Sequence, residues 1–281
     1  MVDIDERKLC AQVRGRGTTL VLDCGGAGQG VGGAWGMELE AKQAELTTLV
    51  TYDRAGAGRS DGPQARTVAD MTDDLHRLLR SLDLPLPAVF AGWSYGGLVI
   101  QLYALRYPDD IAGLVFVDPT VSQTPPGSAL VRTTSFALAA KLLRLRALMP
   151  SKTSRSIREL AGTLAAMPHH MREVADALDQ RTLPPVPIRV ITAGKRPRMP
   201  QTQLAHLNAN HHRLAAQSPQ GRLIIAERAT HQSPTINPRS SSRQSRTFCD
   251  SSTPRRQGTE LSRQHDTSPG NDQRRVGKRS S

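Results

Sequence analysis

Ser94 stands in the pentapeptide Gly92-Trp93-Ser94-Tyr95-Gly96, which follows directly on the apolar run Ala88-Val89-Phe90-Ala91. Small residues two places either side of a serine permit a strand-to-helix turn too sharp for larger side chains. Such a turn lifts the hydroxyl clear of a sheet, and the helix N-terminus beneath it favours developing negative charge. A serine raised in this way attacks a carbonyl if a base takes its proton, and that base must lie on a loop at the same end of the sheet. His231 fits, because it follows the last strand-like run, Leu223-Ile224-Ile225-Ala226, in Glu227-Arg228-Ala229-Thr230-His231. His76, His169, His170, His206, His211 and His212 fall in helical patterns, and His265 lies near the C-terminus.

The elements that must position this chemistry are legible in the hydrophobic pattern. Short β-rich runs alternate with helical patterns, which predicts an α/β fold: a mostly parallel sheet with crossover helices. The runs are Thr18–Leu22, Leu49–Tyr52, Ala88–Ala91, Leu114–Val117, Ile188–Thr192 and Leu223–Ala226. Between Thr67 and Leu82 the residues Met71, Leu75, Leu78, Leu79 and Leu82 recur at helical spacing, with Thr67 and Asp70 placed as N-cap and N3. Helices are also expected over about 95–107 and 201–216. The segment 119–185 has no strand-like run but helical patterns near 136–149 and 155–180, which reads as a helical cap inserted over the sheet. Domain boundaries follow: residues 1–238 form the α/β domain, and 239–281 are read as a basic, Ser/Arg-rich disordered tail, too poor in apolar residues to offset its ordering entropy.

On the Gly-rich turn at 24–28, the stretch Asp53-Arg54-Ala55-Gly56-Ala57-Gly58-Arg59-Ser60, the Gly92–Gly97 turn and the late His231, the chain resembles the α/β-hydrolase superfamily. The similarity is to its small, helical-capped, esterase-like serine hydrolases and covers about residues 8–235. The resemblance implies a triad in the chain order Ser, acid, His. The family's usual acid position, after the strand that follows the cap, is empty, since residues 188–226 contain no Asp or Glu. Some members place the acid after the preceding strand, where Asp118 stands 24 residues past Ser94. A strand-ending Asp-Pro is also a common turn starter.

The resemblance further implies an oxyanion hole from the backbone N–H groups of Gly26 and Tyr95, with Cys24-Gly25 preceding Gly26 where the family often has His-Gly. Gly25, Trp93 and Phe136 are read as lining the substrate pocket, and Asp53 as structural. A serine nucleophile excludes the dehalogenase and epoxide-hydrolase chemistries, which need a carboxylate there. The expectation is a serine hydrolase that cleaves a carboxylic ester, or a thioester, lactone or small amide, through an acyl-enzyme. The alternative is a non-catalytic or degraded hydrolase-fold protein with a binding role. Phe136, Leu138, Leu142, Leu145 and Leu148 repeat at about helical spacing and read as core or as an apolar acyl pocket. Lys141, Arg144 and Arg146 beside them read as a solvated face in preference to a membrane surface. The amphipathic helix that family members carry after the histidine is not written in residues 232–281, which hold five apolar residues in fifty.

Composition narrows the partners. The 281 residues carry 37 Lys and Arg against 25 Asp and Glu, a net charge of +12. Residues 239–281 hold ten basic and four acidic side chains, so half of that excess lies in 43 residues. The remaining body is only mildly basic, and no specific nucleic acid is expected. Three cysteines, Cys10, Cys24 and Cys249, are too few and scattered for a disulfide framework or a zinc site. The expected ligand is a small-molecule acyl substrate, with no metal and no cofactor. No run of about 18 apolar residues predicts a membrane span, the N-terminus lacks the pattern of a secretory signal, and a cytoplasmic address follows by default. Oligomeric state is not legible.

Overall fold

Apolar residues alternate between two faces along each central strand, so both sides of the sheet must be covered. In the computed structural model, which describes residues 1–123, 129–149, 151, 153–196 and 199–231, they are. After a short hairpin of β1 (Val2–Asp3) and β2 (Lys8–Leu9) come β3 (Ala11–Arg14), β4 (Thr19–Asp23), α1 (Met37–Ala44) and β5 (Thr48–Tyr52). Then follow α2 (Val68–Ser81), β6 (Ala88–Trp93), α3 (Gly96–Arg106) and β7 (Ile111–Val117). The chain continues through α4 (Ala129–Arg146), α5 (Ser154–Gln180), β8 (Ile188–Ala193), α6 (Gln201–Ala216) and β9 (Arg222–Ala226).

The seven-stranded sheet has the order β3-β5-β4-β6-β7-β8-β9. Only β3 runs antiparallel, against β5; all other neighbours are parallel. On one face Val21, Val50, Phe90, Leu114, Phe116 and Val190 join the cores of α2, α3 and α5. On the other, Leu20, Leu22, Leu49, Val89, Val115 and Ile191 pack with Trp35 and with Leu39 of α1. The chain is thus an α/β-hydrolase-type fold, with a mostly parallel sheet and crossover helices. Each predicted strand and helix is present within a few residues, save that α4 begins at Ala129. The β1–β2 hairpin, the antiparallel edge strand β3 and α1 were not read from the sequence.

Thr67 and Asp70 form a reciprocal capping box at the start of α2. The α4–α5 pair occupies the interval between β7 and β8, and α5 is bound to the body by two carboxylates, Glu159 buried and Glu173 half-buried. Glu173 accepts from the Val68 and Ala69 N–H groups at 2.8 Å, and Glu159 accepts from the Gly58 N–H at 3.1 Å. The reading of 239–281 as a tail, and with it Cys249 and His265, lies outside the described residues. No helix of the described residues is long and apolar enough to cross a membrane.

Candidate active site

Parallel strands in register bring their carboxyl ends to one edge, where open α/β sheets bind ligands. Asp23 pairs level with Gly92, Trp93 with Val117, Val117 with Ile191, and Ala193 with Ala226. Ser94 follows β6, Asp118 follows β7 and His231 lies five residues past β9. Three residues distant in sequence therefore start from one edge.

The turn at Ser94 explains why its flanking residues are small. Ser94 holds φ at 54°, a left-handed conformation that non-glycine residues seldom adopt. A Cβ on Gly92 would fall 2.6 Å from the Gly96 carbonyl oxygen, and one on Gly96 would fall 2.5 Å from that of Asp23. The Ser94 N–H donates to the Val117 carbonyl at 3.0 Å, and the Thr120 N–H donates to the Ser94 carbonyl at 2.8 Å. The ends of β6 and β7 are thereby tied on both sides of the serine.

Ser94 Oγ lies 3.0 Å from His231 Nε2, and His231 Nδ1 lies 2.6 Å from Asp118 Oδ2. A proton on Nδ1, donated to the carboxylate, leaves Nε2 free to accept from the serine hydroxyl. The loop that carries His231 is fixed at its root by the Ala229 N–H, which donates to the Ala226 carbonyl, and the Lys195 N–H, which donates to that of Ala229. Trp93 Nε1 donates to the His231 carbonyl at 2.9 Å.

Asp118, also left-handed at φ 43°, is buried and heavily partnered. Its carboxylate accepts from the Ala193 N–H at 3.1 Å and from both terminal nitrogens of Arg196, Nη1 at 3.1 Å and Nη2 more closely. Burial would raise its pKa. The hydrogen bonds from His231, Arg196 and Ala193, with the Arg196 charge, outweigh that and hold it near about 2. Arg196 Nη2 also donates to Thr192 Oγ1 at 2.8 Å, which lies 3.0 Å from His211 Nδ1, while His211 Nε2 lies 3.0 Å from the Pro119 carbonyl. Burial lowers the pKa of His211. The neutral ring then donates through Nε2 and accepts through Nδ1, so every member of this chain is satisfied. Arg196 was not among the residues singled out from sequence. Its relation to Asp118 spans 78 positions and has no motif to announce it.

The candidate oxyanion turn is held from beneath. Arg54 donates to Asp23 Oδ1 at 2.8 Å, to the Cys24 carbonyl at 3.2 Å and to the Gly25 carbonyl, and lies 4.9 Å from the centroid of the Tyr95 ring. Tyr52 OH donates to Asp23 Oδ2 at 2.5 Å. Burial raises the Asp23 pKa and the Arg54 charge opposes that rise, while burial pushes the Cys24 thiol up to about 12, so it stays protonated. Gly26 sits under α5: its carbonyl accepts from Thr163 Oγ1 at 2.6 Å, and a Cβ on it would meet Leu160 Cδ1 at 2.9 Å. Gly25 lies against Trp93, where a Cβ would stand 3.3 Å from Cζ3. Tyr95 OH lies 2.7 Å from His170 Nδ1.

Asp53 behaves as a structural residue. Its carboxylate accepts from the Gly30, Val31 and Arg59 N–H groups, which joins two glycine-rich loops. Phe136 is half-buried and packs against the main core. Leu138, Leu142, Leu145 and Leu148 depart from the sequence reading: they are exposed, neither core nor pocket. Helical spacing is the same for a buried stripe and an exposed one, and only the position of α5 decides which side of α4 is covered. No group of His, Cys, Asp and Glu among the described residues is arranged to hold a metal ion.

Comparison with known proteins agrees with this architecture. The model of the Alpha/beta hydrolase family matches residues 20–240. The chain is 33% identical over 106 residues to the uncharacterized protein YqjL of Bacillus subtilis, covering 37% of this chain and 41% of that one. It is 38% identical over 111 residues to the putative carbamate hydrolase RutD of Serratia proteamaculans, covering 38% and 40% respectively. It thus spans about two fifths of the length of these relatives. Among solved structures, a thermophilic esterase from Thermogutta terrifontis is similar at a TM-score of 0.67 and 21% identity, covering 88% of this chain and 94% of that chain.

Proposed function

Because this chain belongs to the alpha/beta hydrolase family, we propose that it is a serine hydrolase that cleaves a carboxylic ester or a related acyl bond. The observation that carries this reading is the unbroken relay from Ser94 Oγ to His231 at 3.0 Å and from His231 to Asp118 at 2.6 Å. The similar esterase and the putative carbamate hydrolase support acyl chemistry of this class.

Ser94 Oγ attacks the carbonyl carbon as His231 Nε2 takes its proton. The negative charge formed on the carbonyl oxygen is received by the backbone N–H groups of Gly26 and Tyr95. Collapse of the tetrahedral intermediate expels the alcohol, which takes the proton back from His231 and leaves Ser94 acylated. Water then adds to the acyl-enzyme, His231 accepts one of its protons, and the carboxylic acid departs as the proton returns to Ser94. Asp118 fixes the tautomer of His231 and stabilises the imidazolium. Arg196 holds the carboxylate ionised and oriented. On this reading Gly25 and Trp93 border the approach to Ser94, and Phe136 of the helical cap contributes to the acyl pocket.

A fluorophosphonate probe and a series of p-nitrophenyl esters of rising acyl length test the proposal. The folded protein should label and turn over, and Ser94→Ala should abolish labelling and lower kcat by roughly 10⁴ or more. Folded wild-type protein that neither labels nor hydrolyses any ester would instead support the non-catalytic reading.

A further inference from the structure

Helix α4 is apolar on two sides. Ala140 is buried, and Phe136, Ala139 and Leu143 are half-buried on the side toward the body. On the opposite side Leu138, Leu142 and Leu145 recur at steps of four and three residues and are 59%, 58% and 54% exposed. The turn after the helix adds Leu148 and Met149, 77% and 69% exposed. With about 100° of rotation per residue, the three helix leucines cover about 60° of its circumference, with Lys141 on one flank and Arg146 on the other. Lys141, Arg144 and Arg146 are all exposed. The surrounding sequence is one-signed: between Asp118 and Glu159 there are seven Lys and Arg and no acidic residue.

We propose that α4 and the turn after it dock on an anionic lipid surface. Leu138, Leu142, Leu145, Leu148 and Met149 enter the boundary between headgroups and acyl chains, while Lys141, Arg144 and Arg146 extend to the lipid phosphates. Apolar residues in a stripe, flanked by long basic side chains that keep their charge in the headgroup layer, are what a helix lying in that plane requires. Charge complementarity selects this occupant over a second copy of the chain, because a symmetric contact through α4 would set Lys141 and Arg146 rows against themselves. The three basic residues in its last turns argue for a helix that lies on the bilayer, not one that crosses it. The inference stands on the α4 surface alone and does not depend on the role of Ser94.

Co-sedimentation of the full chain with phosphatidylcholine vesicles, with and without phosphatidylglycerol, tests it. Binding is expected with phosphatidylglycerol, weaker without it, and decreasing as salt is raised. K141E/R144E/R146E, and separately L138S/L142S/L145S, should each weaken binding by at least about tenfold, since each removes one of the two attractions. All six positions are exposed, and circular dichroism reports retention of the fold. Quenching of the fluorescence of a Leu142→Trp variant by brominated lipid gives a second reading that needs no loss of binding. Absence of binding, binding that both triple variants retain, or fluorescence of the Leu142→Trp variant that brominated lipid leaves unquenched overturns the proposal. So does a wild-type dimer that the leucine variant converts to monomer, which would make this face a contact between copies.

Discussion

Asp118 is a carboxylate with more partners than orientation of a histidine needs. Its acidity gives a stability term with a definite sign. A folded pKa near about 2, below the ordinary carboxylate value, contributes stability that is fully present above about pH 4 and lost as pH falls toward 2. Arg196→Met removes the guanidinium, lets the carboxyl rise, and should cost about 1–3 kcal/mol at neutral pH. In urea unfolding across a pH series, the gap between wild type and this variant should shrink as pH falls through that window. A gap independent of pH would show that Arg196 does not act through Asp118. On the same proposed mechanism, Asp118→Asn should retain the fold yet lower kcat by roughly 10⁴, because the amide no longer enforces the tautomer in which Nε2 accepts.

Elements decide whether Ser94 is presented at all. The turn between β6 and α3 tolerates no side chain at Gly92, where a Cβ would meet backbone, an atom that cannot rotate away. Gly92→Ala should therefore cost about 1–3 kcal/mol in thermal or urea unfolding, as overpacking does. Fluorophosphonate labelling of the fraction that folds should also slow, since relief of the clash must displace Ser94. A variant that melts lower yet labels at the wild-type rate would show the turn absorbing the methyl elsewhere. The α4–α5 pair illustrates the same scale differently. Glu159 and Glu173 fix α5 to the body, and α4 packs on α5 with Leu138, Leu142 and Leu145 outward.

Across the whole molecule, the candidate site is coupled to the sheet core through one buried ion pair. Arg54 and Asp23 join β4, the turn at Cys24–Gly25 and the Tyr95 ring. Arg54→Met leaves Asp23 buried beside Tyr52 without its cation, and should cost about 3–5 kcal/mol. Arg54→Met with Asp23→Asn should recover part of that loss in equilibrium unfolding, because the uncompensated charge is gone. If the double variant is as unstable as the sum of the two singles, the pair is not the source of the effect.

The sequence by itself determined the order of β4 to β9 and of α2 to α6, the serine turn and the capping box of α2, because each depends on neighbours within a few positions. A sharp turn needs glycine two places away, and a two-faced strand shows its apolar run directly. Ser94, His231 and Asp118 could be named as candidates, each from the end of its own strand. What only the tertiary structure decided was their distance, which follows from the register of β6, β7, β8 and β9 at one edge. Arg196, the hold of Arg54 on the Gly25 turn, and the side of α4 that faces water were equally beyond the sequence. Each depends on which surfaces meet across many tens of residues, and neither residue type nor spacing records that.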